Sequence, residues 1–140
     1  SRLDTIQAAV LHVKLRQLDN YIDARREVAA KYDEAFAGIP GVKIPYRADD
    51  SKHVFHQYTL ILEDADRTAL QDHLLEYEVP SMIYYPIPAH KQKMFAHFGS
   101  SELNLPTTDW LTERVISLPI HTEMDNDEQD YIIEHILKYL

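Results

Sequence analysis

The sequence predicts an α+β fold in which a small, mainly antiparallel sheet carries helices on one face and is preceded by a long N-terminal helix. Three observations predict it. From Leu3 to Phe36 no Pro or Gly interrupts an apolar repeat in steps of three and four. The run from Val54 to Leu62 is rich in β-branched and aromatic residues. The closing segment from Asp127 to Leu140 returns to helical spacing, with Tyr131, Ile132, Ile136, Leu137 and Leu140 on one face.

The elements run in order along the chain. Leu3, Ile6, Val10, Val13, Leu18, Tyr21, Ile22, Val28, Tyr32 and Phe36 make one long amphipathic helix, with Asp19-Asn20 the point where a break or kink would fall. Gly38-Ile39-Pro40-Gly41 ends it, because Gly accepts the left-handed cap and Pro cannot continue the ladder. Val42-Lys43-Ile44 alternates as a short strand, and Val54–Leu62 is the strongest strand. Asp66 caps a helix from Arg67 to Tyr77, with Leu70, Leu74 and Leu75 facing inward. Ser81–Tyr85 reads as another strand stopped by Pro86 and Pro88, which completes a β-α-β outline. Further on, a short helix is expected at Lys91–His97. Thr108 or Asp109 caps a helix from Trp110 to Val115, and Ile116–Ile120 is a last extended segment. The division expected is a linking helix over 1–37 and an α/β sandwich over 38–140.

Composition narrows the function. A chain of 140 residues, 45% apolar and 26% charged, is one domain's worth of globular protein. No window approaches the roughly 18 apolar residues of a membrane helix, so no membrane partner is expected. With 14 basic against 23 acidic residues the net charge is −9, and the scattered basic residues offer no footprint for nucleic acid. The absence of cysteine excludes a disulfide framework and thiolate metal sites, and is compatible with the cytoplasm. The Ser1-Arg2 start, without an initiator Met, raises the expectation of a piece of something longer.

No catalytic centre is legible in the residues alone. Of the eight histidines, His53 and His56 stand three apart on the expected strand and point to opposite faces, so no metal site is assigned. No serine lies in a G-x-S-x-G turn, and three glycines leave no phosphate loop. One stretch stands out: Tyr84-Tyr85-Pro86-Ile87-Pro88-Ala89-His90 gathers phenols, an imidazole and two stiffening prolines at a strand end, where binding groups are commonly placed.

The chain also resembles the C-terminal part of the pyridoxal-phosphate-dependent sugar aminotransferases of the DegT/DnrJ/EryC1/StrS type. Four stretches carry the resemblance: Ser1-Arg2-Leu3-Asp4-Thr5-Ile6-Gln7-Ala8-Ala9, His53-Val54-Phe55-His56-Gln57-Tyr58, Pro80 through His90, and Ser117-Leu118-Pro119-Ile120-His121. They stand in the family's order and spacing and span essentially the whole chain.

The resemblance implies the fold of the small domain of a fold-type-I aminotransferase, with the large cofactor-binding domain outside this sequence. By the same resemblance, such enzymes work as homodimers and transfer an amino group from glutamate to a nucleotide-linked keto-sugar, through a lysine of the large domain and pyridoxal 5'-phosphate. None of Lys14, Lys31, Lys43, Lys52, Lys91, Lys93 and Lys138 matches that lysine, so the chain alone is expected to be inactive. Arg2 matches the arginine of the family's Asn-x-Arg pattern, and the numbering begins one residue after its Asn would stand. Tyr84, Tyr85 and His90 match the loop that lines the sugar pocket in the family. The substrate-binding candidates are therefore Arg2, Tyr84, Tyr85 and His90, while Gln57 is read as structural. The Tyr84–Pro88 form looks most like members acting on UDP-linked 3-keto N-acetylamino-uronates, in surface polysaccharide or amino-sugar biosynthesis. The competing reading is a free-standing binding or interaction module derived from the same domain.

Overall fold

The computed structural model describes residues 2–140; Ser1, the first residue of the helix-opening motif, lies outside them. The N-terminal stretch is two helices rather than one, α1 (Thr5–Leu15) and α2 (Leu18–Phe36). Asp4 caps α1, its carboxylate accepting from the Ile6 and Gln7 amides at 2.9 and 3.2 Å. The break falls at Arg16-Gln17, not at Asp19-Asn20. There the Arg16 and Gln17 amides donate to carbonyls only three residues back, which tightens and ends the first helix. Asn20 instead belongs to the first turn of α2, where its side-chain amide donates to the Gln17 side-chain oxygen at 2.8 Å.

The two helices differ in what they cover. α2 buries Val28, Ala29, Tyr32 and Phe36, whereas α1 buries nothing. Leu3, Ile6, Val10 and Val13 are between 52% and 76% exposed, an apolar stripe of the kind that proteins normally cover. The isolated chain is therefore expected to self-associate. Sedimentation should show apparent mass rising with concentration, and Ile6→Glu combined with Val13→Glu should return it to the monomer. A parent chain that stays monomeric at every concentration would contradict this.

The sheet has three antiparallel strands in the order β1 (Val42–Lys43), β2 (Tyr58–Leu62) and β3 (Val115–Leu118). Val42 pairs with Leu62, Tyr58 with Leu118 and Leu60 with Ile116. Because side chains alternate along a strand, Tyr58, Leu60 and Leu62 all point to the covered face and are fully buried. α2, α3 (Arg67–Glu76) and α5 (Asn126–Tyr139) close that face with Leu70, Leu74, Ile132 and Ile136. α4 (Pro106–Thr112) begins on a proline, which at the first helical position removes only a donor that would be unsatisfied anyway. Gly41, with φ +74°, makes the turn into β1: a side chain there would meet the Asp64 carboxylate at 2.6 Å.

Several expected elements are shorter or displaced. The strand expected over Val54–Leu62 begins only at Tyr58, because residues 54–57 form a loop. Phe55 there takes φ +46°; its amide donates to His53 Nδ1, and Arg25 Nη1 donates to the Phe55 and His56 carbonyls, each at 3.3 Å. His53 and His56 are consequently exposed loop residues rather than strand residues. Ser81–Tyr85 contributes a single bridge, Met82 to Ser117, so the β-α-β outline is not formed and no parallel pair exists among the described residues. The helix expected at Lys91–His97 is a run of 3₁₀ turns, Ala89–Lys91, Lys93–Phe98 and Ser100–Glu102. The helix expected from Trp110 starts at Pro106 and ends at Thr112, without a side-chain cap from Thr108 or Asp109. The last extended segment covers Val115–Leu118 instead of Ile116–Ile120.

Two helix faces are also rotated. Leu75 is 70% exposed while Leu70 and Leu74 are fully buried, since one residue's step of about 100° carries it off the inner face. On α5, Tyr131, Leu137 and Leu140 lie on the rim, and Gln129 and His135 occupy the interior. Gln129 is satisfied there by donating to the Val28 carbonyl at 2.7 Å, which ties α5 to α2.

Candidate functional site

Met82 exchanges two backbone hydrogen bonds with Ser117, at 3.0 and 2.7 Å, and the chain then leaves the sheet. Beyond that last bridge, Tyr84 and Tyr85 stand 40% and 71% exposed, their rings edge-to-face with centroids 5.8 Å apart. Pro86 and Pro88 restrict the backbone that comes next. The two phenols, Ile87 and Pro88 form one wall of an open cavity of about 400 Å³, and Thr108 and Leu111 of α4 form the other. A cavity with aromatic and aliphatic walls and phenol hydroxyls among its lining is suited to a sugar: ring faces stack on C–H surfaces while hydroxyls exchange hydrogen bonds.

His90 is not part of that lining. Its side chain is buried, with Nε2 3.8 Å from Asp109 Oδ1, and Lys91 Nζ lies 2.7 Å from the same oxygen. Ser100 Oγ donates to the His90 carbonyl at 2.9 Å. Lys91 thus ties this loop to the first turn of α4 through Asp109, whereas His90 Nε2 is buried beside the same carboxylate without a hydrogen bond. Arg2 is exposed and lies outside the cavity as well. Asp4, its nearest candidate partner, is engaged as the α1 cap, and among the described residues the Arg2 guanidinium has no hydrogen bond or ion pair. Of the four candidates, one chain brings together only Tyr84 and Tyr85. Gln57 is half-buried in a small cleft that shares Tyr84 as a wall.

A polar cluster at the covered face of the sheet has no local signal in the sequence. Tyr58 donates to Asp33 Oδ1 at 2.8 Å, Arg47 pairs with the same carboxylate, and Tyr32 donates to the Pro119 carbonyl at 2.9 Å. Burial pushes both phenols well above the ordinary tyrosine range, with Asp33 adding to the effect at Tyr58 and Glu128 at Tyr32. These tyrosines are therefore fixed neutral donors, not titrating groups. The contribution of Thr108 and Leu111 to the cavity was also missed, since nothing local in α4 signals which residues Tyr85 will face.

Lys31, Lys43, Lys91 and Lys138 are engaged by Asp130, Glu63, Asp109 and Glu134, and Lys14, Lys52 and Lys93 are exposed. No lysine is buried among the described residues. No group of three His, Asp or Glu residues is placed to hold a metal ion among the described residues, and no helix there is long and apolar enough to cross a membrane.

Comparison with known proteins adds the family. Residues 1–137 match the family model described as the DegT/DnrJ/EryC1/StrS aminotransferase family. A "Pleiotropic regulatory protein" of Geobacillus stearothermophilus is 38% identical over 141 aligned positions, covering 99% of this chain and 37% of the relative. The UDP-N-acetyl-3-dehydro-alpha-D-glucosamine 3-aminotransferase of Acidithiobacillus ferrooxidans is 40% identical over 130 positions, covering 91% of this chain and 33% of the relative. Among solved structures, S. venezuelae DesV in complex with a ketimine intermediate superposes with a TM-score of 0.91 at 32% identity, over 99% of this chain and 37% of that one. The chain thus spans little more than a third of the length of the relatives it matches. Enzymes of this family depend on pyridoxal phosphate and act on nucleotide sugars. With a fold that superposes on part of a solved relative and a family match that runs almost from end to end, this chain belongs to the DegT/DnrJ/EryC1/StrS aminotransferase family.

Proposed function

We propose that residues 1–140 are the C-terminal small domain of a pyridoxal-phosphate-dependent aminotransferase that transfers an amino group from glutamate to a nucleotide-linked keto-sugar. Residues 1–37 link it to the large domain and 38–140 form the α/β sandwich. The observation that carries this reading is the Tyr84–Pro88 cavity within a chain that matches the family over 1–137. The substrate class is a UDP-linked 3-keto N-acetylamino sugar, with the uronate as its narrower form, serving surface polysaccharide or amino-sugar biosynthesis in the cytoplasm. The name of the Acidithiobacillus relative, which specifies a UDP-linked 3-dehydro N-acetyl sugar, supports the nucleotide and the carbon aminated. A homodimer accounts for Arg2: a guanidinium suited to anionic sugars stands outside the cavity of its own subunit and would serve the site of the other.

The cofactor supplies the electron sink when bound, and it belongs to the large domain. This chain's own part is to orient the sugar through Tyr84 and Tyr85 and to keep the loop against α4 through the Lys91–Asp109 ion pair. Incubated with pyridoxal phosphate and dialysed, the 140-residue chain should retain no visible absorption band; a retained stoichiometric band would overturn the placement of the cofactor outside it. A second reading, a binding or interaction module, is favoured by the regulatory name of the Geobacillus relative. The protein that carries this chain distinguishes the two when assayed with glutamate and the UDP-linked 3-keto sugar. Formation of the amino sugar supports the enzyme, and binding without turnover supports the module.

A further inference from the structure

Phe55 is tightly held in the loop that replaces the start of the expected strand. Its backbone stands at φ +46°, which a bulky side chain adopts only where its surroundings over-determine it. Here they do. The ring is 1% exposed, with the Arg47 guanidinium 4.7 Å from its centroid and the His53 ring at 4.2 Å. The Phe55 amide donates to His53 Nδ1 at 3.0 Å. The Phe55 and His56 carbonyls both accept from Nη1 of the half-buried Arg25 on α2, each at 3.3 Å. Of these contacts, the one from Arg25 takes the carbonyls that a strand ladder would need.

The bend changes which side chains can stand together. Along a strand, consecutive residues point to opposite faces of the sheet, so His56 and Gln57 could not share a wall. With the ladder abandoned before Tyr58, both line one cleft of about 220 Å³, and Tyr84 belongs to the same lining. Ser117 of that lining is already bonded to Thr59, at 2.8 Å between hydroxyl oxygens. The His56 imidazole and the Gln57 carboxamide, by contrast, make no side-chain hydrogen bond among the described residues. Each carries donor and acceptor capacity. Beside a phenol, that is a set of uncommitted polar groups.

We infer that Arg25 is a positioning residue: by keeping residues 54–57 out of the sheet, it sets the His56 imidazole and the Gln57 carboxamide in one cleft with Tyr84, where they add polar contacts to the sugar substrate. The contact role of His56 and Gln57 rests on the function proposed above, but the hold of Arg25 on the loop does not. Gln57 thereby takes a recognition role in place of the structural one expected from its sequence. Arg25 itself acts through the backbone and needs no contact with the substrate.

The test uses the protein that carries this chain. Arg25→Gln should raise KM for the sugar nucleotide about tenfold and leave KM for glutamate nearly unchanged, while Arg25→Lys, which keeps the charge and one donor group, should fall between. Because Arg25 acts through two side chains, its loss should add little in a background that already carries His56→Ala and Gln57→Ala. A full tenfold loss in that background, or equal losses for both substrates, would overturn the proposal. Hydrogen exchange supplies an arm that needs no turnover. In Arg25→Gln the Phe55 amide should exchange faster while the Leu60 amide of β2 stays as it was. An unchanged Phe55 amide, or equal acceleration at both, would overturn the hold of Arg25 on the loop. If Phe55 responds as expected while the parent protein aminates no sugar nucleotide, that hold stands and the aminotransferase reading fails.

Discussion

Leu74→Ala is expected to destabilise the chain by about 2–5 kcal/mol, whereas Leu75→Ala, one residue on, should change stability by no more than about 0.5 kcal/mol. The two leucines are chemically identical neighbours on α3. Leu74 is fully buried in the cluster that includes Leu60, Ile116 and Ile136, and truncating it removes transfer energy and leaves a cavity that close-packed neighbours cannot fill. Leu75 is 70% exposed and has little to lose. Urea unfolding of the two variants, compared at equal m-values, reads the difference directly. Similar losses at both positions would mean that α3 packs on a different face from the one described.

Tyr85→Ala carries the largest functional effect expected of a single side chain in the cavity. Its ring is the more exposed of the pair and makes no hydrogen bond among the described residues, so its removal should cost little stability. With a sugar bound, the same substitution removes a stacking face and a phenol donor together. Those losses amount to about 10–100-fold in kcat/KM for the sugar nucleotide in the protein that carries this chain. Tyr85→Phe, which keeps the ring and loses the hydroxyl, should fall between. His90→Gln tests the other half of the site: because His90 sits behind the wall, its loss should act by loosening the loop against α4, with a stability cost that Tyr85→Ala does not show.

Much of this molecule is legible in the sequence, and the parts that are not share a cause. Helix caps are local, so Asp4 and Asp66 stand where a capping side chain and a helical repeat meet, and both accept the amides of the first turn. The inward set of β2 is likewise dictated by alternation once its register is known. The strand expected at Val54–Gln57 fails because Arg25, thirty residues before Phe55 and on another element, captures the Phe55 and His56 carbonyls that a ladder would need. Ser81–Tyr85 has strand propensity but finds a partner only at Met82, since the chain then turns from β3 toward α4. In both cases a distant group decides, and local preference loses.

The site divides in the same way. Tyr84 and Tyr85 are marked by their own neighbourhood, two phenols close to two prolines, and the structure places them together at an open cavity. His90 is marked by the same stretch, yet it is buried beside Asp109, which no local pattern connects to it. Arg2 is known only from the resemblance of its motif, and this chain offers it no partner among the described residues.

The proposed division of labour, in which this chain recognises the sugar and another domain carries the cofactor chemistry, is tested most directly by the two half-reactions of the protein that carries it. They are measured separately by rapid-mixing spectroscopy for Arg2→Ala and Tyr85→Ala. The half-reaction with the sugar nucleotide should weaken about 10–100-fold while the half-reaction with glutamate stays nearly unchanged. Equal losses in both half-reactions would contradict this division of labour, since they would place these residues in the machinery shared by both substrates.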